Sequence, residues 1–281
     1  MANNIHDIRN LNTPLLLFGG VYSNLPALEA LWRVAIDNGF SGDQLLCTGD
    51  VIGYCAEPDA CVRFMAERGI RSIAGNVEIQ LRNGEEVCGC DFASGTRCDI
   101  FSRQWYPYAR QHVSAVSMEW LDALPEFIDF NQAGRSYRIV HGSQRATAEY
   151  IYASTPTSVF ERELDQVPGD IIAGHGGLPF TKQLGERRWL NPGVIGMPAN
   201  DGTSRVWYGI LKNGEFSLHT LDYDHRKAAD RMRRAGLPES YARTLETGLW
   251  DNCDVLPPAE TAVQGIGLSA DALASAGRLA T

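Results

Sequence analysis

The stretch "TPLLLFGGVYSNLPALEALWRVAIDNG", residues 13–39, reads as a strand, a glycine turn and a helix. The apolar run Leu15 to Phe18 is followed by Gly19 and Gly20. Ser23 or Asn24 can cap the helix, Pro26 suits its first turn, and apolar residues then recur at helical spacing. "DQLLCTGDVIGY" (43–54) repeats the strand-then-glycine pattern, and "PDACVRFMAERG" (58–69) predicts a short helix. "IRSIAGNVEIQ" (70–80) gives a third strand and turn. Three such units predict a layered α/β fold, with ligand-binding groups just beyond the strand ends.

Further along, "NGEEVCGCDFASGTRCD" (83–99) follows neither period and reads as an irregular loop. "SMEWLDALPEFIDF" (117–130) reads as a helix and a turn. From "RSYRIVHGSQ" (135–144) the pattern changes. There, "RIVHGS", "DIIAGHGG" and "RRWLNPGVIG" are short strands ending in glycine-containing turns. "SRVWYGILKNGEFSLHTLDY" (204–223) predicts an antiparallel hairpin on its Asn-Gly turn. These segments predict a second, mixed sheet packed on the first, within one domain spanning 1–281. "HRKAADRMRRAG" and "PESYARTLETG" predict two C-terminal helices, and the chain from about 249 reads as a peripheral tail.

A hydrophobic content of 44% is enough for a full core. The N-terminal residues carry no apolar signal segment, and no apolar run is long enough to span a membrane, so a cytoplasmic location is expected. A formal net charge of -9, with no basic stripe, argues against bulk nucleic-acid binding but leaves room for a small phosphorylated ligand. Seven cysteines, an odd count without an export signal, argue against a disulfide framework.

Asp50, Asn76, His141 and His175 all fall at strand ends. One carboxylate, one amide oxygen and two imidazoles suit a divalent transition metal. Each alone also fits a cap, a turn or a structural histidine. Taken in order, "LLLFGGVYSNLPALEAL", "CTGDVIGY", "IAGNVE", "IVHGS", "IAGHGGLPF" and "LNPGVIGMPANDG" resemble the calcineurin-like metallophosphoesterases, especially their compact bacterial phosphodiesterase branch. The likeness covers most of residues 14 to 248. It implies two mixed β-sheets sandwiched between helical layers, with a two-metal centre that hydrolyses phosphate mono- or diesters using manganese, iron or zinc.

The chain departs from that family pattern at four side chains. Gly20 and Tyr22 stand where the family has Asp-x-His, Val77 replaces the histidine after Asn76, and Gly177 replaces the second late histidine. The losses fall on one metal, while the resemblance assigns Asp50, Asn76, His141 and His175 to the other. One ion, Mn, Fe or Zn, is therefore expected, in an atypical mononuclear phosphoesterase. Val77 cannot protonate a leaving group. Tyr22 and Glu78 are the nearest candidates for that role, each with an alternative: Tyr22 fills vacated volume, and Glu78 caps the following segment. Backbone N–H groups around Gly20 and Gly176 are candidates for positioning phosphate. Two rivals stand beside the enzyme: a catalytically silent binding protein on the same scaffold, and a thiolate-metal or redox protein using Cys88, Cys90 and Cys98.

Overall fold

The computed structural model describes residues 5–276. Strands β1 (Ile5–Asn10) and β2 (Leu15–Phe18) lead to helix α1 (Leu25–Asp37). Next, β3 (Leu45–Cys47) leads to α2 (Pro58–Glu67), and β4 (Arg71–Ser72) to α3 (Asn76–Asn83). Helices α4 (Arg97–Gln111) and α5 (Ala115–Asp122) precede strands β5 (Phe127–Gln132) and β6 (Arg135–Ile139). Helix α6 (Thr157–Leu164) is followed by β7 (Asp170–Ile172), β8 (Phe180–Leu184), β9 (Arg187–Asn191), β10 (Val206–Lys212) and β11 (Glu215–Leu221). The remaining helices are α7 (His225–Arg234), α8 (Glu239–Thr247), the single turn α9 (Pro258–Thr261) and α10 (Ala270–Ala276). None is long and apolar enough to cross a membrane.

Two mixed sheets result, ordered β11-β10-β2-β3-β4 and β1-β5-β6-β7-β9-β8. Side-chain alternation along a strand sorts residues into layers. On β2, Leu16 and Phe18 pack with the apolar residues of α1 and α2, whereas Leu15 and Leu17 face the other sheet. That inter-sheet core also takes Leu46, Phe130, Ile139, Ile172 and Leu190. Beyond it, Ile171 and Trp189 pack against Phe160 and Leu164 of α6. The order is helices, sheet, sheet, helix.

The Asn213-Gly214 turn has φ of 52° and 79°, the geometry that matches strand twist in a two-residue hairpin. Its strands β10 and β11 join the first sheet, with β10 antiparallel to β2, and not the second as the sequence order suggested. Strand β1 pairs parallel with β5, and its register shifts between Asp7 and Arg9. A bulge there breaks the two-residue period that would have marked β1 in the sequence.

The strand ends of the two sheets approach closely at glycines. A Cβ on Gly174 would lie 2.2 Å from Thr48 Oγ1, and one on Gly75 would lie 2.1 Å from Asp50 Oδ1. Thr48 Oγ1 has no hydrogen-bond partner. Gly174→Ala is therefore expected to destabilise the fold by about 3 kcal/mol. Adding Thr48→Ala should recover part of that loss, because it removes the clashing atom and no hydrogen bond. Urea denaturation of the single and double variants measures both effects; additive losses would contradict the clash.

Candidate metal centre and its cavity

Asp50, Asn76, His141 and His175 each follow a strand: β3, β4, β6 and β7 in turn. The structure brings all four together. His141 Nε2 lies 3.2 Å from Asp50 Oδ2, 3.0 Å from Asn76 Oδ1 and 3.1 Å from His175 Nδ1. All four residues are buried. His141 Nδ1 lies 2.7 Å from the Thr48 carbonyl oxygen, which can only accept, so the proton on that nitrogen is assigned. Nε2 is left to face the other three atoms.

Asn76 is oriented from behind. Its Nδ2 donates to the Cys88 carbonyl at 2.9 Å and to Cys90 Sγ at 3.3 Å, which turns Oδ1 toward the histidines. An outer hydrogen bond that aims an inner ligand atom is usual for metal sites. His175 has a left-handed backbone, φ 58°, and its ring packs 4.2 Å from that of Tyr150. Burial and the neighbouring His141 push His175 down to about 3, so it stays neutral and keeps a lone pair. Burial pulls His141 down too, but Asp50 and the Thr48 carbonyl outweigh it and leave His141 above its ordinary value. Asp50, His141 and His175 are the acidic, histidine or thiol groups that converge closely enough to hold an ion among the described residues. With the Asn76 oxygen, this mixed oxygen and nitrogen set fits a divalent transition metal.

Glu78 does not reach the cavity. It is fully buried, and its carboxylate accepts from the backbone N–H of Asp50 (2.9 Å), Ile52 (3.0 Å) and Gly75 (2.8 Å). Burial and the adjacent Asp50 push its carboxyl up, partly offset by the N–H groups of Ile52 and Gly75. The carboxylate is a brace for the Asp50 turn, whose φ is 54°. Its side chain is spent, which removes it as a proton carrier. Gly176 N–H is spent as well, donating to the Gly174 carbonyl at 2.7 Å, so it is not free for phosphate.

Tyr22, by contrast, lines a cavity above the cluster together with Asp50 and His175. Its ring lies over Gly20, where a Cβ would come within 2.3 Å of Cε1. Burial first, and then Asp50, raise the phenol well above its ordinary value, so it remains an O–H donor. At Gly177 a Cβ would meet the Trp250 ring at 3.6 Å. Aromatic side chains thus stand over two of the positions where the resemblance expects metal ligands.

The cavity has a volume of about 80 Å³. Residues that the sequence did not single out form much of it: Tyr54, Tyr150, Tyr241 and Trp250. The tail expected to be peripheral from about 249 instead reaches the site. Trp250 Nε1 donates to the Pro198 carbonyl and its backbone N–H to Asn200 Oδ1, both at 2.8 Å, and Ser154 Oγ donates to Glu260 at 2.5 Å. A small-residue-rich ending hid "LWDN", whose aromatic and polar residues were the available signal. The three loop thiols do not converge on a common point among the described residues. Cys98 donates to Asn252 Oδ1 at 3.3 Å, and burial pushes its thiol up to about 11.

Glu78→Gln replaces one of the two accepting oxygens with an amide group that cannot accept. We expect a loss of roughly 3 kcal/mol, because buried N–H groups are then unsatisfied. Chemical denaturation checks it; an unchanged midpoint would show that Glu78 is not a brace.

The calcineurin-like phosphoesterase family model matches residues 5–206. An uncharacterised protein of Methanocaldococcus jannaschii is 24% identical over 257 residues, covering 83% of this chain and 98% of that protein. The crystal structure of a metallophosphoesterase from Sphaerobacter thermophilus superposes with a TM-score of 0.67 at 24% identity, covering 85% of this chain and 100% of the other. A hypothetical protein from Pyrococcus horikoshii OT3 gives 0.70 at 17% identity, covering 84% and 99%. These likenesses show the fold, and the family match over residues 5–206 shows that this chain belongs to the calcineurin-like phosphoesterase family.

Proposed function

We propose that this protein is a mononuclear metal-dependent phosphoesterase acting on a small phosphorylated compound in the cytoplasm. Asp50, Asn76, His141 and His175 hold its single divalent ion, Mn, Fe or Zn. The observation that supports this is the convergence of Asp50 Oδ2, Asn76 Oδ1 and His175 Nδ1 on His141 Nε2, with Nδ1 engaged by Thr48. When bound, such an ion supplies a Lewis acid for a phosphoryl oxygen and lowers the pKa of a bound water.

The chain's own residues supply the rest. Tyr22, keeping its proton beside Asp50, presents an O–H donor to an oxygen of the ester. Trp250 and Tyr150 cover the cluster and limit water. Ring volume over Gly20, and Trp250 beside Gly177, support a count of one ion by filling space near the missing ligands.

Charge favours a diester over a monoester. Among the described residues, no lysine or arginine lines the cavity. One divalent ion beside the Asp50 carboxylate leaves a single net positive charge, which matches a phosphodiester monoanion better than a monoester dianion.

A catalytically silent binding protein is the second reading. It is favoured by Val77, which is fully buried and has no proton to give.

The purified chain should contain one ion per molecule by elemental analysis, and should hydrolyse bis(4-nitrophenyl) phosphate when supplied with Mn²⁺. A His141→Ala/His175→Ala variant should lose both. Saturating the wild type at a hundredfold excess over Kd should stabilise it by about 2.7 kcal/mol, with no such gain in the variant. Two ions per chain would exclude the mononuclear site. One ion with no hydrolysis of any mono- or diester above the variant's rate would leave the silent protein.

A further inference from the structure

Behind the ion-competent cluster, the turn Cys88-Gly89-Cys90 supports two of the four candidate ligands. Asn76 Nδ2 donates to the Cys88 carbonyl at 2.9 Å and to Cys90 Sγ at 3.3 Å. The Cys90 carbonyl accepts from the Tyr150 hydroxyl at 3.0 Å, and the Tyr150 ring packs 4.2 Å from that of His175. The aim of Asn76 and the packing of His175 therefore both pass through three residues. Gly89 makes the turn. Its φ is 66°, and a Cβ there would lie 2.6 Å from Nε2 of Gln80, on the helix that Asn76 begins.

The same turn brings two free thiols together. Cys88 and Cys90 are both buried, and their side chains hydrogen-bond to each other. Cys98, the third thiol of the loop, is engaged elsewhere, on Asn252. Cys90 also lines the cavity, so a water-sized oxidant that enters meets its sulfur. The hydrolytic reading uses neither thiol.

We propose that Cys88 and Cys90 form a reversible disulfide that regulates ion occupancy, with a peroxide as oxidant and a small thiol as reductant. One sulfur attacks a peroxide oxygen and breaks the O–O bond, becoming a sulfenic acid as water leaves. The other sulfur displaces the sulfenic hydroxyl as a second water and closes the S–S bond. The two thiols give up two electrons and two protons, and the peroxide becomes two waters. In the reverse direction two reductant thiols attack in turn, restore both S–H groups and leave as their own disulfide. A bridge across one residue closes a tight ring, and strained disulfides are the readily reduced, regulatory ones. The new bond turns Cys90 Sγ toward Cys88 and away from Asn76, and ring closure around Gly89 moves both carbonyls. Asn76 then loses its backing, and outer partners of this kind are worth roughly 10- to 100-fold in metal affinity. This regulation deepens the metal-site reading above and rests on it.

Isothermal titration of the chain with Mn²⁺ tests it: before hydrogen peroxide, after it, and again after dithiothreitol has been added and removed. Peptide mapping locates the bond. Peroxide should link Cys88 to Cys90 and weaken Mn²⁺ binding by roughly tenfold or more, and dithiothreitol should restore it. Cys88→Ser cannot form the bond and should give the same affinity before and after peroxide, which separates the switch from general oxidative damage. Cys90→Ala removes an acceptor for Asn76 and should weaken Mn²⁺ binding with no oxidant present. Cys90→Ser restores an acceptor and should recover most of that loss. Absence of the Cys88–Cys90 bond after peroxide, or a Cys88→Ser variant that still loses affinity on treatment, would overturn the proposal. Mn²⁺ binding that the disulfide leaves unaltered defeats only the switch. A reduced chain that binds no Mn²⁺ defeats the metal reading and the switch with it.

Discussion

A hydrogen bond from one imidazole crosses between the two sheets and sets the chemistry of the site. His141 follows a strand of the second sheet, and its Nδ1–H donates to the carbonyl of Thr48, which follows a strand of the first. That bond fixes the tautomer, so Nε2 must face Asp50, Asn76 and His175. It also requires the strand ends to come close. Gly49 permits the approach, since a Cβ there would lie 2.8 Å from His141 Nδ1, and Gly174 leaves room for Thr48. Glu78 then holds Asp50 in its left-handed turn by accepting from the backbone on both sides of it. The ligand geometry follows from backbone approach, and the backbone approach from glycine.

The departures from the family pattern are coupled physically. An aspartate at position 20 would collide with the ring of Tyr22, so Gly20 and Tyr22 are one change in two parts. Gly177 has φ 75°, and Trp250 packs within reach of its missing side chain. Losing an anionic ligand and its histidines together removes the charge and the lone pairs that a second cation needs. Aromatic rings in their place take little charge but much volume. On the proposed one-ion reading, the cavity exchanges a second cation for apolar wall.

Much of this was readable from residue types. Asn24 accepts from Ala27 N–H as the helix cap that "SNLP" predicts, and the unbroken apolar run "LLLF" forms β2, which is buried on both faces. Strand ends carrying Asp50, Asn76, His141 and His175 pointed to one centre because layered α/β folds gather strand ends. What was hidden depended on contacts between distant residues. Glu78 was legible as a cap, and its bond to the Gly75 N–H three residues back is that cap, but nothing local shows that Asp50 and Ile52 would claim it as well. Thr48 acts through its carbonyl, which every residue has. The hairpin at Asn213 was plain from its turn, but its sheet was not, because pairing with β2 is set by tertiary packing. Trp250 belongs to a segment of low periodicity, and only its bonds to Pro198 and Asn200 bring it over the site.

The acceptors themselves argue for a cation. With Nδ1 committed to Thr48, the Nε2 position has one proton at most to share among Asp50 Oδ2, Asn76 Oδ1 and His175 Nδ1. Asp50 raises His141 despite burial, which is the response of a site that lacks enough positive charge for its lone pairs. One proton can satisfy one neighbour well and leaves the others facing each other in a buried space. The Asn76 amide cannot turn to help, because its nitrogen is held by the carbonyl of Cys88. A divalent ion resolves all of these contacts at once, since each atom then meets positive charge instead of another lone pair. The same reasoning supports the proposed count of one. The neighbouring volume offers the ring of Tyr22 and the backbone of Gly20 and Gly177, none of which can replace the carboxylate and imidazoles that a second ion would require.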